Sequence, residues 1–179
     1  AIKHMAPRLD VKSHLNNWKF TTLILTLSIL VCASSAEARP TDTSEMFSFS
    51  ITDTLTYWET PDGAIRVHYS TEGPNQAKTF DGNGDGVPDF VEAVGEIAQE
   101  SLSLFNDLNL LPPMSETGFT LVDNGGSDAL DFYLVDFGGN SDGSFGIDAC
   151  NNENQCTGHM VIENDFSGYS YSSYLEGLE

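Results

Sequence analysis

Basic residues are scarce in this chain. Seven Lys and Arg stand against 27 Asp and Glu, a formal net charge of −20 over 179 residues. Lys3, Arg8, Lys12 and Lys19 precede residue 20, so beyond that point only Arg39, Arg66 and Lys78 carry positive charge. Such a surface repels phosphate backbones and anionic lipid heads, which argues against nucleic acid and, once a leader is removed, against membrane as partners. Catalytic signatures are lacking too. There is no Cys with a base beside it, and no pair of His four apart with an adjacent Glu. After residue 38 the only histidines are His68 and His159. Both read as structural or solvent-facing strand residues, and Asp131 with Asp136 carries little weight as a carboxylate pair among so many acids. No catalytic residue is assigned.

Long hydrophobic runs are also missing. The apolar stretch at residues 20–31 is too short for a comfortable transmembrane helix. It follows the four early bases and precedes Cys32-Ala33-Ser34-Ser35-Ala36-Glu37-Ala38, a basic region, an apolar region and an A-x-A-like end. Residues 1–38 therefore read as an N-terminal extension and secretory signal peptide, cleaved after Ala36 or Ala38, with an uncleaved anchor as the alternative. The location implied is secreted, periplasmic or cell-surface, in a bacterium. Cysteine is nearly absent. Cys32 would leave with the leader, and Val31 before it suits lipoprotein processing poorly. That leaves Cys150 and Cys156, for which an oxidising compartment favours a local disulfide over zinc ligation or two free thiols.

What the chain does have is one complete motif, Asp81-Gly82-Asn83-Gly84-Asp85-Gly86-Val87-Pro88-Asp89-Phe90-Val91-Glu92. A twelve-residue calcium loop takes side-chain oxygens from positions 1, 3, 5, 9 and 12 and a backbone carbonyl from 7, with glycine at 6 for the turn. Asp81, Asn83, Asp85, Asp89 and Glu92 fill the first set, Val87 offers the carbonyl, and Gly86 occupies the turn. Four carboxylates so close repel one another unless a hard cation neutralises them. Ca²⁺ is the expected ligand, and a solvated acidic turn ahead of a helix is the alternative. Gly73 and Pro74 exclude an incoming helix, and Pro88 lacks the N–H through which paired loops join. The loop thus reads as a structural site, not a sensor that opens a groove.

Residues 39–179 read as one α+β domain: a small mixed β-sheet with one long amphipathic backing helix. Residues 39–45 suggest a flexible start. Phe47, Phe49 and Ile51 alternate with polar residues as a strand does, and Pro61-Asp62-Gly63 marks a turn. Ile65, Val67 and Tyr69 form the next alternating run. A helix is expected over 89–109, its stripe formed by Phe90, Val94, Ile97, Leu102, Phe105 and Leu108, and Pro112-Pro113 ends it. Further strands are expected at 119–122, 130–135 and 159–163. Residues 137–155 read as loop, and 167–176 show no clear period.

Three stretches resemble a family. His68-Tyr69-Ser70-Thr71-Glu72-Gly73, the loop through Gly86-Val87-Pro88-Asp89 with its helix, and Asp131-Phe132-Tyr133-Leu134-Val135-Asp136 are similar to the N-terminal half of a group of secreted, myxobacterial-type proteins assigned as zinc metallopeptidases. Asp85 replaces the usual Asn and Phe90 the usual Tyr. The resemblance spans about residues 65–166. It implies the incomplete N-terminal portion of a zincin-like domain, with calcium structural and Zn²⁺ held only by a His-Glu-x-x-His helix that would follow a strand like Met160-Val161-Ile162-Glu163. The chain starts at Ala1 without an initiator Met and stops at Glu179 without a cap signal, so it reads as a fragment, inactive as written. The full-length form would act on an extracellular protein or peptide. The other reading is a non-catalytic calcium module for adhesion or scaffold attachment, although such modules normally repeat the loop.

Overall fold

The computed structural model describes residues 39–42, 47–119, 121, 123–153 and 155–178. These all fall within one compact unit, Ala36–Glu179. The expected signal peptide at residues 1–38, with its apolar region and Cys32, lies outside the described residues. Among the described residues no helix is long and apolar enough to cross a membrane.

The fold is α+β. Strands β1 (Leu55–Glu59), β2 (Ile65–Ser70), β3 (Leu130–Val135), β4 (Gly143–Cys150) and β5 (Cys156–Glu163) form one mixed sheet in the order β1-β2-β3-β5-β4. β1 and β2 are an antiparallel hairpin about Pro61-Asp62-Gly63, as are β4 and β5, while β2, β3 and β5 run parallel. Parallel neighbours need a crossover. Helix α1 (Asp89–Asp107) supplies it between β2 and β3, and a short helix α2 (Tyr174–Leu178) follows β5.

Alternation gives the sheet two different faces. Ile65, Val67, Tyr69 and Leu134 turn toward α1 and are buried with Phe90, Val91, Val94 and Ala98. Phe166 and Tyr174 close this core edge-on to Phe90, with ring centroids 6.2 and 5.3 Å away. The opposite face buries Phe49, Tyr133, Val135, Phe137 and Val161. The same face carries Asp131 and His159, also buried.

The helix starts where the sequence places it, on Pro88, and buries Phe90 and Val94 as expected, together with Val91, Gly95 and Ala98. Its expected stripe does not stay buried to the end. Phe105 and Leu108 are exposed, because the second half of α1 stands beside a groove of about 680 Å³ instead of against filled core. That groove is walled by Leu102 and Phe105 from the helix and by Phe132, Met160 and Ile162 from the sheet.

Four local expectations are corrected. The first arm of the hairpin is Leu55–Glu59, not residues 47–52. Phe47 and Phe49 do reach the core, but Ile51 is 94% exposed, because the Asp53 carboxylate accepts from the Ser50 and Asn75 amides and folds the segment into a turn. Second, residues 137–155 hold strand β4, whose edge position leaves Phe145 and Ile147 exposed and so hides its period. Third, Phe119 and Leu121 lie in no strand, while Thr120 and Val122 are outside the described residues. Fourth, Arg39 and Pro40, at the start of the stretch expected to be flexible, are buried, and Phe49 N–H donates to Pro40 C=O at 2.8 Å, while residues 43–46 lie outside the described residues. Cys150 and Cys156 pair across the β4–β5 hairpin and are joined as a disulfide.

Candidate metal loop

Loop 81–92 connects the polar segment after β2 to the first turn of α1. Its two ends are pinned. Asp89 N–H donates to Phe80 C=O at 2.9 Å, and the Asp89 carboxylate accepts from Gly82 N–H at 2.8 Å. Val87 packs against the α1 core, and Phe90 and Val91 directly after Asp89 are buried in it. The loop is therefore attached to the best-packed part of the domain.

Between the pins, carboxylates turn the backbone. Asp81 accepts from Gly84 N–H at 2.7 Å and Gly86 N–H at 2.9 Å, one oxygen each. Asn83 accepts from Asp85 N–H, and Asp85 from Val87 N–H, both at 2.9 Å. Each bond reaches two to five residues ahead, as short polar side chains do in tight turns. Gly84 and Gly86 sit at φ 77° and 94°, where a side chain would be strained even though the space beside them is open.

Three of the ligand positions touch one another. The Asn83 amide nitrogen donates to Asp85 at 3.2 Å and to Glu92 at 3.3 Å, so those two carboxylates lie on either side of one group. Partial burial, then the charges of Asp85, Asp89, Glu96 and Asp81, hold the Glu92 carboxyl above its ordinary range. As the side chains stand, no group of three or more His, Cys, Asp and Glu among the described residues forms a ready metal cage. The donor set is nonetheless hard and oxygen-only, it is mutually repelling, and its backbone is already turned. Such a set suits calcium, which accepts flexible oxygen geometry, better than zinc, which takes a compact set of N and S donors.

A second constellation lies on the other face of the sheet, and sequence reading missed it. The Arg39 guanidinium, 3% exposed, bonds Asp131 and Tyr133 OH through Nη1 and Glu116 and Asp148 through Nη2. The Tyr133 and Asp148 contacts are 2.9 and 2.7 Å. His68 is not solvent-facing: its Nε2 lies 2.9 Å from Asp131 Oδ1, and its ring stacks on Tyr133 with centroids 4.4 Å apart. His159 is structural, 2.9 Å from Asp148 through Nδ1. Asp131 joins Arg39 to His68 in this network, whereas Asp136 is exposed. Burial pushes the Glu116 carboxyl up to about 7 against the pull of Arg39, with Asp148 and Asp131 adding to the rise. Asp148 is pushed up by burial as well, but its bond to His159, the charge of that ring and the charge of Arg39 bring it below the ordinary carboxylate value.

The chain matches no family model, no curated protein and no solved structure.

Proposed function

We propose that the protein is the secreted, calcium-stabilised N-terminal portion of a zinc metallopeptidase of zincin-like architecture. In this reading calcium is held by Asp81, Asn83, Asp85, Asp89, Glu92 and the Val87 carbonyl, and it fastens the polar segment after β2 to α1. The metal is a structural clamp. One observation carries the calcium half of the reading: a pre-turned, oxygen-lined loop whose carboxylates crowd Glu92, set at the N-terminus of the helix that organises the core. The helix N-terminus does not repair the crowding. It carries only about half a positive charge, and four carboxylates are present.

The peptidase half of the proposal rests on the motif resemblance, and the groove beside α1 is consistent with it. Its apolar walls on β3 and β5 are what a further helix packing after β5 would cover, and in the family resembled the His-Glu-x-x-His helix follows that strand. Zinc and catalysis belong to that helix. Calorimetric titration of the protein with calcium tests the loop: heat of binding should vanish in Asp81→Ala and in Glu92→Ala, and binding unaltered by both substitutions refutes the assignment. The encoded sequence beyond Glu179 tests the peptidase. A His-Glu-x-x-His motif is expected within about 30 residues, the family's usual order, and a continuation without one refutes it.

A further inference from the structure

The buried network around Arg39 is not part of the calcium loop and needs no peptidase chemistry. Three carboxylates, from Glu116, Asp131 and Asp148, converge on one guanidinium, with side chains 5%, 0% and 4% exposed. Three buried acids around a single cation are an expensive arrangement unless every charge is oriented and bonded. Two of the acids are oriented without help from the arginine. Asp131 is held by His68 on its other oxygen, and Asp148 by His159. The third, Glu116, lies 3.4 Å from Thr157 Oγ1 through Oε1, and its Oε2 is buried with no hydrogen-bond partner. The cage is thus built from β3, β4, β5 and the segment after α1, and it presents unspent acceptor capacity inward. Residues 39–42, here called the strap, belong to none of the sheet's strands and bring Arg39 into the cage.

We propose that this cage is a guanidinium-binding site, filled in cis by Arg39, so that the N-terminal strap is a ligand docked on the sheet rather than an integral part of it. The shape of the site selects the ligand. Acceptors on opposite sides require a planar fork in which one nitrogen serves Asp131 and Tyr133 while the other serves Glu116 and Asp148. A guanidinium presents that fork, and an ammonium has only one nitrogen to place. Two described residues near Arg39 make further contacts. Thr41 Oγ1 donates to Asp123 at 2.5 Å, and Phe49 lies over Tyr133 with ring centroids 6.4 Å apart. An arginine side chain from another peptide is the chemical class that could compete for the site.

The test is chemical rescue in the full chain. Arg39→Ala should lower the melting midpoint by about 5 °C or more, since three buried acids lose their counter-charge. Ethylguanidinium at roughly 1–20 mM should restore at least half of that loss in a saturable manner, as a ligand binding only the folded state does. Ethylammonium at equal concentration should not, and the wild-type midpoint should respond to neither. Equal rescue by both cations, or rescue by neither, overturns the proposal. Should Arg39→Ala fail to fold, Arg39→Lys takes its place, because it keeps the charge and loses the fork. A Lys variant as stable as wild type overturns the proposal, and one that is destabilised and rescued by ethylguanidinium alone upholds it.

Discussion

Glu92→Gln should change stability with opposite signs depending on calcium. Asp85 and Glu92 contact the same Asn83 nitrogen at 3.2 and 3.3 Å, so their carboxylates are at most about 6.5 Å apart. At that separation in water two like charges repel by about 0.6 kcal/mol before salt screening. Asp89, Glu96 and Asp81 add smaller shares. Against this, Glu92 lies in the first turn of α1, and losing its charge there costs about 0.3–1 kcal/mol of dipole interaction. In chelator, then, the variant should match wild type or exceed it by up to about 1 kcal/mol. With calcium the balance reverses. A site of about 10⁻⁴–10⁻³ M affinity, typical of extracellular modules, stabilises wild type by about 1.4–2.7 kcal/mol at roughly 10 mM calcium. The variant forgoes most of that gain. Urea unfolding followed by circular dichroism, in chelator and in calcium, reads both arms. A substitution effect equal in the two conditions to within about 0.5 kcal/mol refutes the reasoning, since it would mean that Glu92 is an ordinary first-turn acid.

Other perturbations probe other parts of the fold. Gly95→Ala should destabilise by about 1–2 kcal/mol despite the better helix propensity of alanine; the added Cβ would stand 2.5 Å from the Trp58 ring, and a thermal midpoint at or above wild type contradicts the packing. Reducing the Cys150–Cys156 bond, which closes a separation of 6 residues, should lower stability by about 2 kcal/mol in urea unfolding, and a midpoint indifferent to reductant contradicts this. Glu116 gives a pH signature. Its carboxyl is raised from 4.5 to about 7 in the folded state, so its stabilisation is full below 4.5 and lost as pH rises through 7. Glu116→Gln should therefore equal wild type near pH 4.5 and surpass it near pH 8, and a constant difference across that range is the contrary result.

The parts of the fold that could be read from the sequence are those with a strong local period. Ile65, Val67 and Tyr69 alternate because β2 has one face on the helix, and Leu130–Val135 is nearly all apolar because β3 is central, with parallel neighbours on both sides. The helix start was legible in Pro88 and the acids around it. The second half of α1 was not, since period alone cannot tell a residue facing core from one facing an open groove. Strand β4 escaped because an edge strand needs few inward side chains, yet the Cys150 to Cys156 spacing was a usable hairpin signal. The proposed calcium ligands are contiguous in sequence and so could be picked out there. Around Arg39 the partners come from positions 77 to 109 residues away, which no spacing rule encodes. The only hint was one of three bases left in an acidic chain, and the network shows why Arg39 and Pro40 are buried: one guanidinium meets three acids.

The central claim is that loop 81–92 clamps a calcium ion, and crystals grown at roughly 10 mM calcium test it most directly. One ion is expected at 2.3–2.6 Å from oxygens of Asp81, Asn83, Asp85 and Glu92 and the Val87 carbonyl, with Asp89 contributing directly or through a water. An ordered loop without an ion, its carboxylates still turned to the backbone amides of Gly84, Gly86 and Val87, would contradict it.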